Sequence, residues 1–261
     1  MKDKFEQAMP EEERIVFRQA LESLNNAGVP YTIGGAFAVY WYSGIWRDTK
    51  DLDILVTPRH RQDAMDALSA VGFLTFVKDE RWLAKAIKEP YLVDIVYGMG
   101  DWIAPVDDLW LVNAKPGTFL KVPVLFAPPE EMIWVKAFIA ARDRYDGGDL
   151  NHLIIATHRD VDWQHILNRF NDHWEVLLAQ LILFRYVYPS NRDYVPKWVM
   201  NELTARLGTS LNTQWRDRKI CRGPLLDITN TYDIDIRVRG YEDARQEVWE
   251  RRRELYPESK T

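Results

Sequence analysis

The sequence predicts an α/β core followed by an all-helical C-terminal domain. Short apolar runs typical of strands alternate with helical patterns up to residue 126. Two consecutive prolines, Pro128 and Pro129, then interrupt the chain, and the segments beyond them repeat apolar residues at helical spacing. We therefore place a domain boundary here, between an α/β core at residues 1–127 and a helical domain at residues 128–261.

The core is predicted to begin with a helix, a strand and a second helix. Apolar residues three and four positions apart predict an amphipathic helix over Glu11–Ala27. The run Val29–Ile33 predicts the first strand. Gly34 and Gly35 are then expected to turn the chain into a second helix over Ala36–Tyr42.

The rest of the core is predicted to supply a third helix and further strands. Arg59–Val71 has a helical pattern, and a hairpin is expected after it. Tyr91–Tyr97 is an apolar, strand-like run with one acid in its middle. A turn is predicted at residues 115–117. Val122–Phe126 is predicted to be an edge strand, because its proline has no backbone N–H to donate to a ladder.

The C-terminal half is predicted to open with a helix over Glu130–Arg144, which begins with a proline and two acids. Lys136 lies among apolar residues of this helix, where a lysine usually extends its ammonium group to the edge of the core. Further helical patterns follow at Leu150–Thr157, Trp163–Phe170, Trp174–Val187 and Lys197–Leu207. A basic stretch at Arg216–Arg222 and a charged helix over Tyr241–Tyr256 are interpreted as solvated surface.

Composition limits the class of protein. No apolar run approaches the length of a membrane span, and the charged N-terminus is not typical of a secretory signal. The single cysteine, Cys221, excludes an internal disulfide. We therefore expect a soluble, cytoplasmic protein with no membrane partner. The net charge of −5 argues against extended nucleic-acid binding, for which a basic stripe is expected.

Three carboxylates in strand-like runs are the candidate chemical groups. Asp51 and Asp53 are two residues apart, so on a strand they point to the same face and repel each other. Asp94 lies within the later apolar run, where an acid is costly unless it is paired or bound to a metal. A hard cation such as Mg²⁺ would relieve this repulsion. Upstream, Gly34 and Gly35 allow backbone N–H groups to approach a phosphate at a helix N-terminus.

A known family shows the same order of residues. The order is Gly34-Gly35, then Arg47-x-Thr49-x-Asp51-Leu52-Asp53, then Asp94 in a later strand. This pattern resembles the nucleotidyltransferase superfamily with the DNA polymerase β-type catalytic core. More narrowly, it is similar to the branch of minimal nucleotidyltransferases, AbiEii-type toxins and aminoglycoside nucleotidyltransferases. The resemblance implies a short mixed sheet with helices, followed by a helical domain.

The resemblance also implies roles for individual residues. Asp51 and Asp53 would hold Mg²⁺, with Mn²⁺ as an alternative, against the triphosphate of a bound NTP. Asp94 would either complete the metal site or act as general base, and both roles stay open. The residues implied in nucleotide binding are Gly34, Gly35, Arg47, Thr49 and Lys136. For Arg47 the alternative is an ordinary surface charge.

The resulting expectation is an enzyme that moves a nucleoside monophosphate from an NTP to a hydroxyl of a small, aminoglycoside-like molecule and releases pyrophosphate. The acidic balance of the chain favours a cationic acceptor. A protein hydroxyl or a tRNA end is the alternative acceptor, and a non-catalytic NTP-binding module is the alternative of another class. Three clustered acids without a cation would destabilise the fold, which argues against that module. Trp41, Tyr97 and Trp102 are candidate walls for the acceptor, with ordinary core packing as the alternative.

Overall fold

The computed structural model describes residues 9–99, 103–212 and 218–255. The chain divides into two compact units, one from the N-terminal residues up to residue 128 and the other mainly from residue 129 onward. Within the described ranges, no helix combines the length and the apolar character needed to cross a membrane.

The first unit consists of helices and one mixed sheet. Its helices α1 to α4 are Glu11–Asn26, Gly35–Ser43, Arg61–Ala70 and the short Leu109–Val112. Its strands β1 to β7 are Thr32–Ile33, Asp51–Leu55, Leu74–Asp79, Leu83–Lys88, Tyr91–Val96, Lys115–Phe119 and Val122–Phe126. A 3-10 turn at Pro58–His60 leads directly into α3.

The seven strands pair in the order β3-β4-β5-β2-β1-β7-β6. Strands β2 and β5 run parallel, as do β1 and β7, and the other neighbouring strands are antiparallel. The predicted α/β core with a short mixed sheet is therefore confirmed. The predicted hairpin is also present, as β3 and β4.

One face of this sheet packs against helices. In β2, Leu52 and Ile54 are fully buried, whereas Asp51 and Asp53 are only partly covered. This alternation follows from the geometry of a strand, in which successive side chains point to opposite faces. On the covered face, the ring of Phe17 in α1 meets the ring of Tyr91 in β5, with centroids 6.2 Å apart. The acids therefore lie on the opposite face.

Two predictions for residues 115–126 are wrong. Residues 115–117, predicted as a turn, belong to strand β6, and the chain reverses instead at Leu120 and Lys121, which both have positive φ. Strand β7 is not at the edge, since it lies between β1 and β6. Its proline is tolerated because β1 pairs with β7 only at Phe126, so Pro123 lies beyond the end of that ladder.

The second unit is helical with one addition. Helices α5 to α11 are Pro129–Ala137, Gly147–Thr157, Trp163–Phe170, Trp174–Val187, Lys197–Ser210, Asp233–Arg237 and Ala244–Leu255. Four 3-10 turns are described in this unit, at Asn171–His173, Pro189–Tyr194, Gly223–Leu225 and Asn230–Tyr232. The departure from the all-helical prediction is a small parallel pair formed by β8 (Ile220–Cys221) and β9 (Glu242–Asp243).

Helix α5 is the centre of the second unit, because every residue from Pro129 to Ala137 is buried. The sequence pattern predicted that this helix ends at residue 144, but it ends at Ala137. Beyond it the chain folds back, with the N–H of Asp146 donating to the carbonyl of Ile139 at 3.0 Å. The N–H of Ala141 donates in turn to the carbonyl of Arg144 at 2.8 Å. These bonds form a local β-bridge that cannot continue a helix.

Candidate active site

The three predicted carboxylates lie on adjacent strands of the first unit. Strands β2 and β5 are parallel and in direct register, so that Asp53 is opposite Asp94 and Asp51 is opposite Leu92. Residues in direct register point to the same face of a sheet. Asp51, Asp53 and Asp94 therefore share the face that the helices α1 and α3 leave uncovered.

The glycine pair holds Asp53 close to the start of α2. The N–H of Gly34 donates to the carbonyl of Asp53 at 3.0 Å. A Cβ atom added to Gly35 would lie 1.7 Å from Oδ2 of Asp53, and Gly35 has a φ of +55°. A side chain is thus excluded at Gly35 by space as well as by conformation. The consequence is a carboxylate seated against the N-terminus of α2, where backbone N–H groups lack helical partners.

Asp51 is oriented by the loop before its strand. The hydroxyl of Thr49 donates to Oδ1 of Asp51 at 2.7 Å. Arg47 lies in the same loop and is exposed. The loop thus brings the hydroxyl of Thr49 to Asp51. The binding of a nucleotide by Arg47 and Thr49 stays a prediction.

Asp94 is the most buried of the three acids, with 9% of its surface exposed. Burial raises the pKa of Asp94, and the negative charge of Asp51 raises it further. Lys85 of β4 opposes both effects, since its ammonium group donates to Oδ1 of Asp94 at 2.7 Å. Asp94 is therefore paired with the ammonium group of Lys85, and its pKa is nevertheless above the ordinary value for an aspartate.

Sequence reasoning missed Lys85. The only signal was a lysine between Ala84 and Ala86 in an apolar strand, and such a residue is usually an exposed strand position. The register of β4 against β5 places it directly opposite Asp94. Pairing across strands is not visible in the sequence pattern.

The site can hold a divalent cation through two carboxylates, those of Asp51 and Asp53. Among the described residues, no group of three or more His, Cys, Asp or Glu side chains is arranged to hold a metal ion. Asp94 is partnered by Lys85, which leaves Asp51 and Asp53 as the pair on one strand face. Two carboxylates suit Mg²⁺, because it retains water and takes substrate phosphates as its other ligands. The third-ligand role of Asp94 stays a prediction.

Lys136 lies in the second unit, in a buried ion cluster. Its ammonium group is 2.6 Å from Asp146 and 2.7 Å from Asp149, and its side chain is 4% exposed. Burial acts to raise the pKa of Asp146, but Arg144 and Lys136 together hold it at about 2. Lys136 is thus compensated by two carboxylates within its own unit, and its contact with a nucleotide stays a prediction.

Two of the three aromatic residues considered as acceptor walls, Trp41 and Tyr97, pack within the first unit. The Trp41 ring stacks on Phe126 with centroids 4.5 Å apart. Tyr97 is fully buried, and its hydroxyl donates to the carbonyl of Asp79 at 2.7 Å. Trp102 lies outside the described residues. For Trp41 and Tyr97, core packing accounts for the position of the ring.

No protein-family model and no curated protein matches this sequence. Among solved structures, the chain is similar to the antibiotic-resistance factor ANT(2'')-Ia, with 13% identity over 78% of this chain and 97% of that chain, and a TM-score of 0.42. It is also similar to the lincosamide antibiotic adenylyltransferase LnuA, with 16% identity over 56% of this chain and 96% of that chain, and a TM-score of 0.39. An antigenic nucleotidyltransferase-like protein from Paracoccidioides brasiliensis shares 18% identity over 70% of this chain and 93% of that chain, with a TM-score of 0.44. Structural similarity at these identities and TM-scores does not indicate an activity, so the proposed function rests on the site itself.

Proposed function

We propose that this protein is a Mg²⁺-dependent nucleotidyltransferase of the DNA polymerase β type, which moves a nucleoside monophosphate from an NTP to a hydroxyl of a small acceptor. The observation that supports this proposal is the placement of Asp51, Asp53 and Asp94 on one face of two adjacent strands. The glycine pair lies directly beside them, at the start of α2. Together these groups provide carboxylates for a cation and backbone donors for a phosphate.

Asp51 and Asp53 would hold the cation. When bound, Mg²⁺ supplies positive charge that neutralises the triphosphate as pyrophosphate leaves. Thr49 keeps Asp51 in one orientation through its 2.7 Å hydrogen bond. The N–H groups at the start of α2, beside Gly34 and Gly35, would donate to phosphate oxygens, and Arg47 is proposed to add positive charge to nucleotide binding.

Asp94 would act as general base. A bond forms between the acceptor oxygen and the α-phosphorus, the bond from that phosphorus to the bridging oxygen breaks, and pyrophosphate leaves. The hydroxyl proton passes to Asp94, whose raised pKa makes it a stronger base than an ordinary aspartate. Lys85 keeps enough of this carboxylate ionised to accept the proton.

The acceptor is proposed to be a small hydroxylated molecule of the aminoglycoside kind, which the net charge of −5 favours if the acceptor is cationic. A protein hydroxyl or a tRNA end is the alternative. A tRNA acceptor would bind more weakly as salt rises, because its affinity depends on counterion release. A non-catalytic module would bind NTP without turnover.

The test is pyrophosphate release with each of the four NTPs, with Mg²⁺ or Mn²⁺, against aminoglycosides, bulk tRNA and cell protein. Asp53→Asn keeps the size of the side chain and removes its charge, so we expect kcat/KM to fall by at least about 10²-fold. Asp66→Asn is the matched control, because Asp66 is exposed on α3 and accepts a hydrogen bond from the neighbouring Gln62. Full activity of Asp53→Asn would refute the role of the carboxylate pair.

A further inference from the structure

Two rows of residues cross the sheet on the face that carries the acids. The first row consists of residues that are directly opposite one another on β3, β4, β5 and β2, namely Phe76, Lys85, Asp94 and Asp53. The same register makes the second row Leu74, Ile87, Leu92 and Asp51. Each row therefore begins with an apolar side chain at the sheet edge and ends with a carboxylate of the candidate site.

The apolar members of these rows are open to solvent. Leu74 is 69% exposed and Phe76 is 38% exposed, while Ile87 and Leu92 are half-buried. We call these four residues the apolar platform. The opposite face of the same strands is packed, with Ala84, Ala86 and Val93 buried. A strand at a sheet edge normally carries charged side chains outward, so large apolar residues here indicate a binding surface.

Charge on this face is arranged to suit a neutral group over the platform. Lys85 stands between Phe76 and Asp94, and its ammonium group is bound to the Asp94 carboxylate at 2.7 Å. The positive and negative charges of this pair cancel over a short distance. A charged group of the acceptor gains nothing from Leu74 or Phe76, whereas an apolar ring or chain of the acceptor removes their surface from water.

The position of the platform relative to the acids defines what could bind there. Neighbouring strands lie about 4.8 Å apart, so Phe76, two strands from Asp94, lies about 10 Å from it along the row. The glycine pair lies on the other side of Asp94, beyond β2. A molecule over the platform thus approaches Asp94 from the side opposite to the proposed phosphate donors.

We propose that the apolar platform binds the acceptor of the transfer reaction, and that this acceptor is a small molecule with a ring or alkyl chain attached within about 10 Å of its reactive hydroxyl. This inference rests on the proposed function and narrows its acceptor class. The apolar part of the acceptor lies over Leu74 and Phe76, and the hydroxyl lies at Asp94. The platform is continuous with the acids through Lys85 and Leu92, which favours an acceptor over an unrelated protein partner.

The experiment compares two acceptors that differ only in the length of an apolar chain, hexyl β-glucoside and methyl β-glucoside. Binding is measured by calorimetry in the presence of Mg²⁺, with and without each of the four NTPs, and transfer is measured by pyrophosphate release. We expect hexyl β-glucoside to bind at least about tenfold more tightly than methyl β-glucoside, because its chain covers apolar surface. Phe76→Ser should weaken the binding of hexyl β-glucoside about tenfold and leave that of methyl β-glucoside unaffected.

Val112→Ser is the matched control, since Val112 is 75% exposed in the same unit but lies on α4. It should change neither affinity. Equal affinity for the two glucosides, or equal effects of Phe76→Ser and Val112→Ser, would refute the proposal that the apolar platform binds the acceptor. A change in sedimentation of Phe76→Ser instead of a change in acceptor affinity would assign this face to contact between copies of the chain, and would overturn it as well.

The two proposals fail in different ways. If the wild type neither binds any of the four NTPs nor releases pyrophosphate with any acceptor, while hexyl β-glucoside binding depends on Phe76, the transfer reaction is refuted and the apolar site stands. If transfer occurs and is lost in Asp53→Asn, but does not distinguish the matched acceptors, only the platform is refuted.

Discussion

The contact between Gly35 and Asp53 makes a direct prediction for the variant Gly35→Ala. A Cβ atom at this position would lie 1.7 Å from Oδ2 and 2.7 Å from Cγ of Asp53. Since non-bonded carbon and oxygen atoms need more than about 3 Å, the carboxylate must move by more than 1 Å, roughly. A displacement of that size at a reacting group lowers the rate about 10²-fold. We therefore expect kcat for nucleotide transfer to fall by about that factor.

The same substitution also strains the backbone. Gly35 has a φ of +55°, and a residue with a Cβ atom in this region costs about 1–2 kcal/mol. In a protein of this size, that strain lowers Tm by about 2–4 °C for each kcal/mol. Loss of stability alone would leave the folded fraction, and hence kcat, almost unchanged at room temperature.

Gly44→Ala separates strain from the clash. Gly44 caps the other end of α2 with a φ of +69°, and no described atom lies within 4 Å of its added Cβ. Both variants should lose the stability that backbone strain costs in thermal denaturation, but only Gly35→Ala should lose activity in the pyrophosphate assay. Equal activity of the two variants would refute the idea that Gly35 is required by the position of Asp53.

Two more predictions concern charge. Lys85→Met removes the ammonium group that lowers the pKa of Asp94, so the acidic limb of the pH–rate profile should shift to higher pH; Lys115→Met, at an exposed position, should leave it in place. The pKa of Asp146 is held at about 2, below its ordinary value of 3.8. Its carboxylate therefore stabilises the fold by about 2 kcal/mol at neutral pH, and this contribution is lost as the pH falls towards 2. Urea denaturation of wild type and Asp146→Asn should differ by that amount at pH 7 and converge in acid; a constant difference across this range would contradict the linkage.

The sequence patterns predicted the elements that carry the site because their signals are local. Apolar residues two apart in Asp51–Leu55 and Tyr91–Val96 indicate strands, and both strands are present. The glycine pair predicted the turn into α2 for the same reason, since its conformational freedom is a property of the residue itself. Local rules failed at residues 115–117, because a proline and a glycine are typical of turns and also fit a strand at the sheet edge.

The sequence by itself therefore determined the alternation of strands and helices, the position of the acids on their strands and the turn into α2 at the glycine pair. Only the tertiary structure decided which strands are neighbours, and with that the partnership of Asp94 with Lys85 and the continuity of Phe76 and Leu74 with the acids. The physical reason is that the period of a strand is set by its own backbone, whereas strand order and register are set by packing between segments that are distant in the chain.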